Sequence, residues 1–589
     1  MTAILDYIVR TLSFFWLTGP VFDKELRVSS RKRRNYVLRA AYILLMLIIL
    51  LFIWAVVVDF RGSRILNVSR LAQAGKVIVT YIVVFQFCAS QIIAVVMLSN
   101  SISDEIYHKT LGMLMTTPIT SMQIVIGKMF SKLLQLFLLL AISLPLLAIV
   151  RVFGGVPWSF ITSSLCLTLT TVILVSSISL FYSIFCRRAH IVIIVTILSI
   201  LCLFALIPFL AATIFFLTKI GSDDVFGMLL INTNPYVAFF FNTLAMLEPR
   251  AAFFSFFVSP YINCLINLLL AFVFVVISII LVRKVALRQA AGQLFSSRQK
   301  KTYRKNNAKN SAIISVIGPA VLWKELILPL RKNTKILRII GVIVFLAILT
   351  YSYWFLYHVD ALDDEPTHVL YSLIFMVLGT LITTVFSSTS ITLEKESSSW
   401  LLLLTSTLSD RQIVYGKLCG VISRCLPVWS LLVGHFILFY FLGFIHPIAI
   451  LLTVILLVWF IILISCSGLY FSSRFKHTTS AVVMNFVFIL FIWALIPVVL
   501  GIFGEIIGGH DAAEVCFFFN PFIQIIVIAI STITTQFRIR NGIMQYDWPS
   551  GYETLHTTLI VFGISFFAYI ILALIFLWRT KKRIRNKIF

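Results

Sequence analysis

The chain has 589 residues, of which 60% are hydrophobic and 12% charged, with a formal net charge of +26. A soluble protein carries about 25% charged residues, so an ordinary soluble fold is excluded and a polytopic helical membrane protein is expected; the apolar runs are continuous rather than alternating, which excludes a spanning barrel. The basic residues gather beside the apolar runs, where the positive-inside rule and anionic lipid account for them, so membrane lipid is an expected partner and nucleic acid is not.

In chain order, the first element is an amphipathic helix at about Leu5–Leu26, lying on the membrane surface. It does not read as a cleavable signal: no basic cluster precedes it, and Asp6, Arg10, Gly19 and Pro20 interrupt the apolar run. Spans are expected at about 36–58, 77–99, 129–150, 159–185, 190–217 and 255–282. A basic linker at 291–312 follows, then a second surface helix at about Ile313–Leu330. Six more spans are expected at about 337–357, 368–389, 418–443, 447–472, 479–504 and 557–579. The expected fold is therefore all-α and polytopic, with about 12 transmembrane helices in two parallel six-helix repeats, each preceded by an amphipathic interfacial helix. The first repeat covers 1–290 and the second 313–589.

Three Lys- and Arg-rich segments fix the expected orientation: "KELRVSSRKRRNYVLR" before the first span, "RQKKTYRKNNAKN" in the linker and "RTKKRIRNKIF" after the last. All belong in the cytoplasm, and an even number of spans places both termini there. The acidic "HVDALDDEPTH" after the seventh span suits the outside; Arg61, Arg64 and Arg70 argue mildly the other way. The loops at Lys219–Ala252 and Glu505–Tyr552 then face outward, with room for short helices.

The halves share sequence. Ser101–Lys128 and Ser390–Lys417 align without gaps at a shift of 289, with ten of 28 positions identical, including Glu105/Glu394, Gly127/Gly416 and Lys128/Lys417; chance gives roughly two to three. "GPVFDKEL" and "GPAVLWKEL", "LFYSIFCRRAH" and "LYFSSRFKHTT", and "NPYV" and "NPFI" follow in the same order. Collinear matches at a nearly constant shift mark parallel repeats, related by an axis along the membrane normal, with a central site between them.

A Glu at the end of the second span, then Thr-Leu or Ser-Trp, a helical turn, "TTPIT", and "QIVIGK" entering the third span together resemble the type-2 ATP-binding-cassette (ABC) transporter permeases, with two half-units fused in tandem. The second half departs from the pattern, with Thr407 at the position of Pro118 and "SSSW" for "HKTL". The resemblance implies that the loop after the second span of each half couples to a separate ABC ATPase subunit, bound in two copies. The coupling residues it implies are Glu105, Thr110, Leu111, Thr117 and Pro118, and Glu394, Ser399, Trp400 and Thr407. The interfacial helices would contribute Lys24 and Glu25, and Lys324 and Glu325.

The residues themselves suit an ordered loop. Pro118 stops a helix, Thr120 or Ser121 caps the next, and Glu105 is placed to meet Arg27 or Arg31 of the surface helix. Lys128 and Lys417 read as snorkelling anchors.

No Gly-Lys pair sits in a phosphate-cradling G-x-x-x-x-G-K-[ST] loop, so the chain is expected to hydrolyse no ATP and to bind no cofactor itself; ATP belongs to the partner. No catalytic triad pattern or ligand-spaced His group occurs, and the nine cysteines lack C-x-x-C spacing, so no metal site or disulfide framework is expected. His435, deep in the ninth span, is the one intramembrane polar candidate, weighed against a neutral, hydrogen-bonded histidine. The expected function is the permease subunit of an ATP-driven exporter in the plasma membrane. An ion-coupled or facilitative carrier, disfavoured by the scarcity of carboxylates inside spans, and a non-transporting membrane platform are the alternatives.

Overall fold

The computed structural model describes residues 15–31, 64–107, 110–151, 155–186, 188–208, 232–247, 259–290, 318–330, 335–358, 364–497, 518–532, 539–540, 543–548 and 551–586, with isolated positions between 36 and 47 and at 211 and 362. The expected first span and basic linker fall almost wholly outside the described residues. Contacts divide the chain into two units, Met1–Ala312 and Ile313–Phe589.

The first unit opens with α1 (Phe15–Ser30), interrupted at Gly19, whose φ of 63° is open to glycine and whose successor Pro20 restarts the helix. The long helices α2 (Arg64–Ser99), α5 (Ser121–Arg151), α6 (Trp158–Phe185) and α9 (Pro260–Ala290) form the bundle, and the short α3 (Ser103–Tyr107) and α4 (Leu111–Met115) join α2 to α5. The apolar α7 (Ala189–Leu201) and α8 (Pro235–Leu247) are shorter. Helix α6 is the hub, packed by α2 and α9, while α1 lies along α5. Its buried Ser164, Thr168 and Thr171 turn their hydroxyls onto carbonyls three or four residues back, which satisfies them inside an apolar bundle and keeps that face narrow.

The second unit repeats the order. An interfacial α10 (Ala320–Leu330) precedes α11 (Lys335–His358) and α12 (Glu365–Thr389). The short α13 (Thr392–Glu396) and α14 (Trp400–Leu404) lead into α15 (Asp410–Phe441) and α16 (Ile448–Arg474). The shorter α17 (Thr478–Leu490) and α18 (Pro521–Ser531) come before the last helix, α19 (Leu555–Asn586). Here α16 is the hub, against α12 and α19. Trp459 stacks on Tyr569 at 4.3 Å, and Trp429 fits over Gly379, where an added Cβ would come within 2.6 Å of the ring. Trp429 Nε1 donates to Thr383 Oγ1 at 2.9 Å, so the buried indole is satisfied.

Eight described helices are long and apolar enough to cross a membrane. The fold is an all-α polytopic membrane bundle with one exception among the described residues: β1 (Ile539–Arg540), β2 (Ile543–Trp548) and β3 (Gly551–Thr554) form an antiparallel sheet in a loop that the sequence read as having room for short helices. Tyr546 and Trp548, on one face of β2, are buried, and Trp548 Nε1 donates to Thr558 Oγ1 at 3.1 Å. The period-2 alternation with Gln545 and Asp547 explains the strand. Short helices do occur in both loops, as α8 and α18.

Close helix approach decides how α10 meets α15. A Cβ at Gly416 would lie 2.8 Å from Val321 Cγ1, and one at Gly420 2.6 Å from Glu325 Cβ. These glycines, one turn apart, let the interfacial helix rest on the span. Gly420→Val is expected to destabilise the protein by about 1–3 kcal/mol in thermal unfolding in detergent. Gly434→Val, where nothing lies within 4 Å, is expected to be neutral.

Candidate functional site

The turn after the second span is built the same way in both units. Five-residue helices are too short to hold alone, so tertiary contacts must fix α3–α4 and α13–α14, which begin and end at equivalent positions. The pairs close with matching backbone bonds, Thr110 N to Glu105 O at 2.9 Å and Ser399 N to Glu394 O at 3.0 Å. Leu111 and Trp400 are buried and anchor α4 and α14. Thr117, Pro118 and Thr407 lie exposed in the turns that follow. A capping box then starts each third span: Thr120 and Gln123 exchange bonds of 3.2 and 3.1 Å, and Ser409 and Gln412 bonds of 3.3 and 3.1 Å.

At the centre of each turn is a buried lysine. Lys128 Nζ donates to Glu105 Oε1 at 2.9 Å and to Ser101 O at 2.9 Å, while Thr110 Oγ1 donates to the other Glu105 oxygen at 2.7 Å. Glu25 of the interfacial helix lies 3.9 Å from Lys128 and 3.8 Å from Lys132. In the second unit Lys417 bridges Glu325 of α10 at 2.7 Å and Glu394 of α13 at 2.6 Å. Lys324 reaches Glu394 at 2.9 Å, and Arg424 pairs with Glu325. The result is an alternating chain, Lys324–Glu394–Lys417–Glu325–Arg424, that ties the turn, the interfacial helix and the third span of the half together.

Lys128 and Lys417 are thus not the snorkelling anchors that the sequence suggests. They lie two turns inside α5 and α15 on the face covered by α1 and α10, so their ammonium groups are buried against carboxylates of the same unit. Glu105 pairs with Lys128, a partner that the sequence reading, which named Arg27 or Arg31, did not include. The sequence signal was the Gly-Lys pair repeated at both sites: a small residue for close approach beside a cation. Burial alone would raise the Glu325 carboxyl, but the Lys417 ammonium, with Arg424 and Lys324, outweighs burial and holds it below its usual range.

The second turn has an additional clamp. Lys395 Nζ donates to Ser472 O at 3.1 Å, Ser473 O at 2.5 Å and Phe475 O at 3.2 Å, at the C-terminal end of α16. Glu396 accepts from Thr478 N at 2.7 Å, at the start of α17. Adjacent opposite charges so satisfy one helix end each, in the sense the helix dipoles favour. Burial, with the nearby Arg583 charge, pushes Lys395 down to about 8. Ile106 and Tyr107 occupy the equivalent places in the first unit, so this clamp is not repeated there. The last helix joins in through Arg585, 2.7 Å from Asp410 and 2.8 Å from Leu408 O.

His435 lies apart from this cluster. It is buried, bonded through Nδ1 to Tyr353 Oη at 2.7 Å and through Nε2 to His368 Nδ1 at 3.4 Å, with Tyr371 stacked beside it. Sequence reading missed His368 and Tyr353, which come from other helices. No group of three or more potential metal ligands occurs among the described residues.

Removing one member of a buried charge network leaves the others uncompensated, at about 3–5 kcal/mol. Lys417→Ala is expected to cost that much in unfolding experiments, and Lys128→Ala less, because the Glu105 side chain keeps 21% of its exposure against 9% for Glu325. The pH dependence follows from the depressed Glu325 carboxyl. Its contribution is fully present above the unfolded glutamate value of about 4.3 and is lost as pH falls through the lower folded value. Glu325→Gln is expected to flatten that part of the acid limb in a stability-versus-pH series.

A family model described as ABC-2 family transporter protein matches residues 261–580, more than half of the chain, from α9 through nearly all of the second unit. Comparisons with curated proteins and with solved structures returned no match. The matched region contains the second turn, its lysine-centred ion chain and the spans on either side, and the first unit repeats the two short helices of that turn at equivalent positions, with the Glu and Lys of its ion pair in register. The chain belongs to the ABC-2 family of transporter proteins.

Proposed function

We propose that this multi-pass membrane protein is the permease of an ATP-driven exporter in the plasma membrane, with both termini and both α3–α4-type turns in the cytoplasm. A separate ABC ATPase, in two copies, binds one turn each. ATP is bound and hydrolysed there; this chain is not an enzyme and carries no cofactor of its own. Export, rather than uptake, is the direction that the resemblance to type-2 permeases implies.

The observation that carries this reading is the shape of the two turns. Each buries one large side chain, Leu111 or Trp400, and two residues later exposes another, Met113 at 71% and Leu402 at 74%. An apolar side chain held out on a rigid, polar-rimmed turn suits insertion into an apolar socket on a partner. Behind it, the Lys128 and Lys417 clusters connect the turn to the interfacial helix and the third span. A push on the turn therefore moves three elements together. For ATP to drive the change, the nucleotide-bound ATPase must interact differently with the two conformations of the permease; rigid turns transmit that difference with little lost to local give.

The test is co-purification of the full chain with its ATPase and measurement of permease-stimulated ATP hydrolysis. Met113→Asp combined with Leu402→Asp is expected to weaken docking at least about tenfold while the protein stays folded. Undiminished docking would overturn the reading. Flux in sealed vesicles lacking nucleotide and ATPase would favour a carrier instead, and docking without any stimulated flux would favour a platform.

A further inference from the structure

The helices at the expected fifth span of each unit end in the same irregularity. Helix α7 passes into a π turn at Cys202–Leu206 and α17 into one at Phe491–Leu495, again 289 residues on. A π turn holds one extra residue, widens the helix and leaves a carbonyl poorly served by the helix's own N–H groups. In both units the carbonyl of the third residue of that turn accepts from an asparagine: Asn234 Nδ2 to Phe204 O at 2.6 Å, and Asn520 Nδ2 to Trp493 O at 3.0 Å. The same asparagines cap the short helix that follows. Asn234 Oδ1 accepts from Tyr236 N at 3.0 Å at the start of α8, and Asn520 Oδ1 from Phe522 N at 3.0 Å at the start of α18. Pro235 and Pro521 come directly after, where a helix needs no N–H.

One side chain therefore holds two elements, and its surroundings extend the tie. Tyr236 Oη donates to Gln91 Oε1 of α2 at 2.6 Å. In the second unit Trp493 Nε1 donates to Tyr569 Oη of α19 at 3.2 Å, and that hydroxyl donates to Phe519 O at 2.9 Å. The Asn-Pro pair, the π turn and the accepting carbonyl recur together, although the π turns themselves read "CLFAL" and "FIWAL".

We infer that Asn234 and Asn520 are the latches of two matched hinges. Each is a positioning residue: while its amide holds the carbonyl of the π turn, the bend in α7 or α17 and the short helix behind it move as one body, and when the bond breaks they move separately. A single neutral hydrogen bond suits this task. It is weak enough to be exchanged during a conformational cycle, yet in dry surroundings an unmet carbonyl is costly, so the latched state is the resting one. The use of the hinges in transport rests on the permease reading. The latch does not, and its test needs neither ATPase nor cargo, so failure of one leaves the other standing.

The experiment is pulsed electron-spin distance measurement on the full chain in nanodiscs, with label pairs at Ile207 and Phe240 in the first unit and at Ile496 and Ile526 in the second. The wild-type residues are expected to give one narrow distance in each unit. Asn234→Ser and Asn520→Ser keep a good capping oxygen but are too short to serve both partners, and are expected to add a second, longer population in their own unit. Asn234→Asp and Asn520→Asp keep the shape and, measured at a pH where the carboxylate is ionised, lose the donor, and are expected to do the same. Amide exchange over residues 491–497 should rise about tenfold in the Asn520 variants. Wild-type distances and exchange in both the Ser and the Asp variants would overturn the proposal, because a role in capping alone is met by serine.

Discussion

A lysine ammonium closed off from water near the start of a membrane span is the constraint on which the rest of this structure depends. An isolated buried cation is so costly that it must be matched by carboxylates from elsewhere in the chain. Lys417 is matched twice, by Glu325 from the interfacial helix and Glu394 from the turn, and so sets the relative position of three elements that sequence alone leaves independent. Gly416 and Gly420 make the arrangement possible, since any larger residue would push α10 off the span before the carboxylate could reach. The electrostatics require close packing, and the close packing is useful because of the electrostatics.

The two units solve the same problem with different margins. In the first, Lys128 has one strong carboxylate partner, a carbonyl and a more distant Glu25. In the second, the ion chain has five members, and the Lys395–Glu396 pair fastens the turn to the ends of α16 and α17 as well. The second turn is therefore continuous with more of its own bundle than the first. Elements at equivalent positions are thus anchored unequally in the two units.

Much of the fold was legible because hydropathy is a local property: each apolar run that lies among the described residues became a helix, and each turn ended at its capping residue, Thr120 or Ser409. The two turns were legible because they occur twice, so Glu105 and Glu394, Thr110 and Ser399, and Leu111 and Trp400 stood out by register. Long-range partners were not. Nothing near Lys417 in sequence says that Glu325 faces it, and a lone Gly-Lys at a span end has an adequate explanation in snorkelling. His435 was visible as a polar residue in an apolar run, but Tyr353 and His368 arrive from other helices. The small sheet went unseen because the alternation of Tyr546 and Trp548 with polar neighbours is too short to compete with the surrounding loop signal.

The account holds that both turns face one aqueous compartment and present the same apolar knob to it. Single cysteines at positions 113 and 402, in a background freed of the native cysteines and labelled with a membrane-impermeant thiol reagent in sealed vesicles of known orientation, test this directly. Both are predicted to label from the cytoplasmic face alone. Labelling of the two from opposite faces would contradict parallel repeats, and with them the shared partner.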